Sequence, residues 1–324
     1  MRILALVPGG ISDQLLFFPT LDTIKQKYPK AEIGVVAEPK AIAAYRVSKL
    51  VDTVIPFAFS GTKSPSDWAN LLGIIRDREY EVALCSDTSW SVGLMLWLSG
   101  VPTRITYSTT SAPWFYTGTV PDKAKDSPCY QVDRYHDLLS ALGISGPAPE
   151  ITINLPESDI AWAEAVRDRM NLSKGYVLMY PGVDTGRDSK GARYPLEKWQ
   201  ALVSDFQAKQ PDMPIVLLQT EGSAAQVNPL KRGDSQLVVV PAENTGQVAA
   251  IVAGANLVIA PDSYVMQLAT ALKVFTLALF GNNKPEEMLP PIAGDETRYL
   301  GIASETQQIS DIAPETVLQK VWGA

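Results

Sequence analysis

Residues 3–24 read ILALVPGGISDQLLFFPTLDTI, and this stretch decides the fold class. Residues 3–7 form a short apolar run of strand length. Pro8-Gly9-Gly10 interrupts it. A helical pattern follows, with Leu15, Leu16, Phe18, Leu21 and Ile24 at near-helical spacing and Ser12 as the expected N-cap. Pro19 inside that pattern predicts a bend or a later start. A strand that turns through glycines into a helix is the opening of a βαβ unit.

The same alternation continues outward. Further strands are expected at 33–36, 53–57, 82–86 and 104–107, and helices at 41–47, 65–76, 91–98 and 130–142. Residues 108–128, with Pro113, Gly118 and Pro121, show no period and read as a long, mobile surface loop. Gly146-Pro147-Ala148-Pro149 and then Pro156 mark a linker, which gives two domains, 1–155 and 156–324. Beyond it, strands are expected at 176–180, 215–219, 237–240, 257–260 and 275–280. Helices are expected at 159–170, 195–208, 223–227, 245–253, 264–272 and 313–322, the last of them free to pack back on the first domain. Such alternation implies parallel sheets with right-handed crossovers. Ligands bind at the carboxyl ends of such strands. The fold class is therefore α/β, two Rossmann-like domains facing a cleft that should carry the function.

The bulk figures narrow the function further. The chain has 324 residues, 46% hydrophobic and 19% charged, as expected of a globular protein with a substantial core. Its net charge of −7 disfavours nucleic acid and anionic membranes, which need a positive field. Cys85 and Cys129 have neither metal nor disulfide spacing and read as reduced thiols. The apolar start is too short for a signal peptide, and residues 82–101 contain Asp87, Thr88, Ser89 and Ser91 and do not read as a membrane span. The expected location is the cytoplasm.

Three strand-end segments could carry chemistry. In the first, Gly9 and Gly10 allow a sharp turn or a close ligand approach, and Ser12 and Asp13 follow in the first helical turn. Asp13 is either a reactive carboxylate or a plain complement to the helix dipole. The segment is not a GxGxxG fingerprint, so a nicotinamide cofactor is not supported. The second, 180–195, holds Thr185, Lys190 and Arg193 among glycines: a phosphate loop or a solvated one. The third joins strand to helix through Asp262, Ser263 and Tyr264. Helix N-termini bind phosphate, but Asp262 or Ser263 also suits a simple cap.

Taken in order, these segments resemble glycosyltransferase family 9, the ADP-heptose lipopolysaccharide heptosyltransferases of GT-B fold. The resemblance is carried by Gly10-Ile11-Ser12-Asp13 with Pro19-Thr20-Leu21, and by Tyr80-Glu81-Val82-Ala83 through Gly100-Val101-Pro102-Thr103-Arg104-Ile105. Gln131-Val132-Asp133-Arg134-Tyr135 with Leu142-Gly143 belongs to it, as does Pro181-Gly182 with Arg193-Tyr194-Pro195-Leu196. So does Asp262-Ser263 with Leu268-Ala269, Ala271-Leu272 and Leu279-Phe280-Gly281.

The resemblance implies an inverting transfer of sugar, heptose in the family, from a nucleotide-diphosphate donor such as ADP-heptose. The acceptor would be an envelope polysaccharide or lipopolysaccharide, reached through peripheral contact with the inner face of the cytoplasmic membrane. Asp13 would be the base, on an acceptor-side loop with Gly9, Gly10 and Ser12. Thr185, Lys190, Arg193, Glu221, Asp262, Ser263, Tyr264 and Gln267 would line the donor site, Glu221 at the ribose. No metal or other cofactor is implied. The departures cluster on the donor side: Tyr264 stands at the family's glycine, Gln267 at its histidine and Ala192 at its lysine. They keep open a second reading, a catalytically degenerate member acting as a binding or scaffold protein. A nucleotide-sugar epimerase is a third, with little acid or histidine to support it.

Overall fold

The computed structural model describes residues 1–125, 127–183, 193–291 and 298–323. The chain divides into two compact units, Met1–Thr152 and Ile153–Ala324, and the division falls within the proline-rich stretch 146–156. The first unit holds strands β1 (Arg2–Val7), β2 (Glu32–Ala37), β3 (Thr53–Pro56), β4 (Val82–Cys85), β5 (Thr103–Tyr107) and β6 (Gly118–Val120). They lie in the order β3-β2-β1-β4-β5-β6. The second holds β7 (Val177–Met179), β8 (Ile215–Gln219), β9 (Val238–Pro241), β10 (Leu257–Pro261), β11 (Phe275–Phe280) and β12 (Tyr299–Ala303). Their order is β12-β11-β10-β7-β8-β9. Both orders are the doubly wound pattern, and the described strand pairs are parallel throughout.

The strand sequences explain this arrangement. In β1, β2 and β11 every residue after the first is buried. Continuous apolar runs of this kind belong to parallel sheets covered by helices on both faces. In the second unit, Trp199, Leu202 and Phe206 of the helix Leu196–Lys209 pack with Ile215, Leu217 and Leu277. The last helix, Pro314–Trp322, packs on that same helix. The Trp322 ring lies 5.0 Å from Phe206, and its indole N–H donates to Asp205 Oδ2 at 2.7 Å.

Several local expectations are corrected. The first helix, Ile11–Lys27, is capped by Gly10 rather than Ser12, because the Asp13 carboxylate reaches back to the Gly10 N–H at 2.8 Å. It runs through Pro19 without a late start. Residues 41–47 form a 3-10 helix, and 131–142 split into a helix, Gln131–Asp137, and a 3-10 turn. The helix expected at 223–227 extends over Ala224–Gly233.

The larger correction concerns the expected loop at 108–128, whose described residues are not free. Gly118–Val120 pairs in parallel with β5. Asp122 accepts two hydrogen bonds from Arg134, at 2.8 and 2.9 Å, and the Arg134 guanidinium lies 4.7 Å from the centre of the Tyr107 ring. The Tyr107 hydroxyl in turn donates to the Arg134 carbonyl at 2.9 Å. Removing Arg134 leaves Asp122, whose side chain is 8% exposed, without its bidentate partner. Arg134→Ala should therefore cost roughly 2–3 kcal/mol in urea denaturation.

His136, on the same helix, is buried, and its Nε2 lies 2.9 Å from the Thr23 hydroxyl. Burial holds its pKa below the usual histidine value. The unfolded chain takes up this proton near about pH 6.5 while the folded chain resists it. The resulting contribution is complete above that pH and is lost as pH falls through it toward the folded-state value. His136→Gln should flatten the decline in urea midpoint between pH 7.5 and 5.5; an unchanged decline would assign it to other groups.

Candidate functional site

Each sheet has a topological switch point, β1/β4 in the first unit and β7/β10 in the second. Connections leave in opposite directions there, which opens a crevice at the strand carboxyl ends.

In the first unit this edge carries the glycine turn. Gly9 sits at φ +109°, a left-handed conformation open to glycine. A β-carbon placed on it would lie 2.3 Å from Asp13 Oδ2. The turn therefore needs glycine twice, for its backbone and for the carboxylate packed against it. Asp13 is buried, at 7% exposure. Its Oδ2 accepts from Gly10 N–H, and its Oδ1 lies 3.4 Å from the Tyr135 hydroxyl. Ser12 is buried beside it.

Two supporting residues were not singled out from the sequence. Tyr135 is buried edge-on against Phe17, 5.2 Å between ring centres. Gln14 is fully buried, donates to the Val7 carbonyl at 2.8 Å and accepts from Tyr45 at 2.6 Å. The signal for Tyr135 was present in its place beside Asp133-Arg134, but its reach to Asp13 spans 122 positions. Cys85, at the end of β4, is fully buried, and burial pushes its thiol up to about 12.

In the second unit the switch point is furnished differently. Ser263 caps the helix Tyr264–Ala271; it is fully buried, and its hydroxyl accepts from Met266 N–H at 3.5 Å. Asp262 accepts from the Asn283 side-chain amide, and its own N–H donates to the Leu279 carbonyl at 2.9 Å. Tyr180, directly after β7, is fully buried. Its ring meets that of Tyr264 edge to face, 6.1 Å between centres. Its hydroxyl lies 3.2 Å from Thr220 Oγ1, where the chain leaves β8. Gly182 and Gly222 flank it: a β-carbon on Gly182 would lie 2.4 Å from the Tyr180 ring, and one on Gly222 would lie 2.8 Å from the Val183 carbonyl oxygen.

Asp262, Ser263 and Tyr264 thus gather at one point with Tyr180. Gln267 points elsewhere. It is fully buried, and its amide donates to the Met288 carbonyl at 2.9 Å. Arg193 and Glu221 are exposed. Thr185 and Lys190 lie outside the described residues.

The pattern of "Glycosyltransferase family 9 (heptosyltransferase)" matches residues 68–319. The chain belongs to this family. Over 98% of its length it is 20% identical to "Photosynthetic NDH subunit of subcomplex B 1, chloroplastic" of Arabidopsis thaliana, covering 72% of that protein. Over 83% of its length it is 21% identical to "Lipopolysaccharide heptosyltransferase 3" of Escherichia coli, covering 80% of that one. Its fold is that of the E. coli ADP-heptose lps heptosyltransferase II structure, with a TM-score of 0.79, 19% identity and coverage of 100% of this chain and 98% of that one. The two parallel six-stranded sheets are accordingly those of a GT-B glycosyltransferase.

Within this family 9 framework, the first switch point keeps a tight turn around a buried carboxylate, and the second holds two tyrosine rings. Gly9→Ala tests how firmly the first is built. It combines a disfavoured backbone with a clash on Asp13, and should destabilise by about 2 kcal/mol or more in chemical denaturation. A loss within about 0.5 kcal/mol, the range of ordinary surface changes, would mean the turn relaxes freely.

Proposed function

We propose that this protein is an inverting glycosyltransferase. It moves a sugar from a nucleotide-diphosphate donor, ADP-heptose first among candidates, to an envelope polysaccharide or lipopolysaccharide acceptor on the cytoplasmic side. The observation that carries this reading is Asp13, buried at the β1/β4 switch point, fixed by Gly10 N–H and cleared by Gly9.

In this reading the acceptor hydroxyl oxygen attacks the anomeric carbon. The bond from that carbon to the diphosphate oxygen breaks, and its electron pair leaves with the nucleotide. The hydroxyl proton passes to Asp13. Gly10 N–H and the Tyr135 hydroxyl, which face Oδ2 and Oδ1, would hold the carboxylate in place for that transfer. One displacement gives inversion. The leaving diphosphate would meet the N-terminal amides of the helix Tyr264–Ala271, with Thr185, Lys190 and Arg193 as further donors and Glu221 at the ribose. The reading uses no metal.

A second reading is favoured by a specific observation. The rings of Tyr180 and Tyr264 meet at the β7/β10 switch point, and Gln267 turns into the core where the family pattern has histidine. A member so altered would serve as a binding or scaffold protein. The Arabidopsis relative, named as a subunit of a subcomplex, fits that role.

Thermal unfolding with ADP, ADP-heptose, UDP and GDP separates the two, since a ligand that binds the folded state raises its melting temperature. A rise of several degrees at millimolar nucleotide is expected for the transferase. No rise with any of them leaves the scaffold reading alone. Given a binding donor, Asp13→Asn should keep the thermal shift and reduce turnover at least 100-fold, in line with the loss of a general base. Tyr264→Gly should raise nucleotide affinity if the ring competes with the diphosphate.

A further inference from the structure

At the amino ends of β1, β2 and β3 the first unit has a polar cavity of about 210 Å³. It is formed by Arg2, residues 32–34, Asp52-Thr53 where β3 begins, and residues 77–80, which lead from the helix Pro65–Asp77 toward β4. This is the edge of the sheet opposite Gly9 and Asp13. Tyr80 lines the cavity and is only 5% exposed. Its hydroxyl lies over Gly34, in the space a side chain would fill, and a β-carbon there would overlap it. Gly34 stands inside β2, where glycine marks a close approach by another group. Both residues line the cavity, so the hydroxyl opens onto it. Among the described residues that hydroxyl has no hydrogen-bond partner. A polar atom placed this deeply and left unpaired calls for a partner from outside the chain.

The groups around that hydroxyl are held by the fold. Arg2 Nε donates to Glu32 Oε2 at 3.1 Å, and its Nη1 donates to the Arg78 carbonyl at 3.1 Å. Arg78 Nη1 donates to Thr53 Oγ1 at 2.9 Å. Asp52 Oδ2 accepts from Ile33 N–H at 2.8 Å and from Lys25 Nζ at 2.9 Å. None of these bonds exhausts its group, since a guanidinium and a carboxylate each keep further donor or acceptor positions. Burial holds the Tyr80 phenol above its usual pKa, so at neutral pH it can donate as well as accept.

We propose that this cavity binds an uncharged, polyhydroxylated molecule of monosaccharide size. Charge decides against ions. The lining carries two guanidiniums, Arg2 and Arg78, and three carboxylates, Glu32, Asp52 and Asp77, with Lys25 offsetting Asp52 from behind. An anion would meet the carboxylates and a metal ion the guanidiniums, and either would lose its hydration on entry. A sugar hydroxyl both donates and accepts. Neighbouring hydroxyls on one ring can therefore span a guanidinium and a carboxylate side by side, with the Tyr80 hydroxyl beneath them. The volume lies below the roughly 300 Å³ at which sites for drug-sized ligands begin. That fits a single sugar ring, not a nucleotide sugar. The site is separate from the donor and acceptor positions proposed above and does not depend on the transferase reading.

The test uses the full chain and saturation-transfer NMR with glucose, galactose and mannose, with no nucleotide present. At least one of these sugars should receive saturation and bind with a millimolar Kd. Tyr80→Phe removes only the unpaired hydroxyl. It should weaken binding by about fivefold or more, as expected for one lost hydrogen bond, and keep the wild-type melting temperature. Arg78→Met should weaken binding to a similar degree, while Asp13→Asn should leave it unchanged. Absence of saturation transfer to any of these sugars overturns the proposal. So does binding that survives both Tyr80→Phe and Arg78→Met, which places the sugar elsewhere. Tighter binding of glycine or inorganic phosphate, lost in the same two variants, makes the site one for a zwitterion or an anion and overturns it as well. Sugar binding is read by NMR and nucleotide binding by thermal unfolding, so this proposal and the transferase reading fail independently.

Discussion

Burial of parallel strands on both faces is the constraint from which the rest of this structure follows. Strands such as β1, β2 and β11 are apolar along their length and must be covered on both sides by helices. Coverage forces every connection to cross over, and right-handed crossovers bring all strand carboxyl ends to one edge. Polar chemistry has little other place to go. Asp13, in the first turn of the helix that follows β1, and Asp262, directly after β10, lie at the edge where the hydrophobic requirement lapses.

The two units start from the same strand order and use their switch points differently. In the first, a carboxylate is buried and then held: one oxygen takes a backbone N–H, the other faces a tyrosine hydroxyl, and a glycine gives it room. A buried carboxylate without such partners would cost several kcal/mol. In the second, the corresponding space takes the Tyr180 ring, with its hydroxyl set toward Thr220 between two glycines. The same backbone plan therefore presents a held carboxylate on one sheet and a buried aromatic ring on the other. Membership of family 9 describes the plan; the contents of each crevice govern what the member can do.

Much of the plan was legible in the chain itself. Short apolar runs broken by glycine and proline located most of the strands, and helical periodicity located the helices between them. What escaped was the pair of outer strands. Gly118–Val120 has three residues and no apolar run, and Tyr299–Ala303 carries a glycine that packs against Pro285. Both exist because β5 and β11 offer unpaired edges to dock on. Arg134 belongs to the same class: its ion pair with Asp122 orders a segment whose local composition reads as loop.

The sequence by itself determined the α/β class, the two-part organisation, the family and the glycine turn with Asp13, because each is written in neighbouring residues or in their period. Only the tertiary structure decided that Tyr180 meets Tyr264, that Gln267 faces the core and bonds Met288, and that Tyr135 reaches Asp13. The reason is physical. Local pattern specifies backbone conformation and which face is apolar. Whether a polar side chain faces solvent, a ligand or a buried carbonyl depends on residues far along the chain that packing brings within a few ångströms.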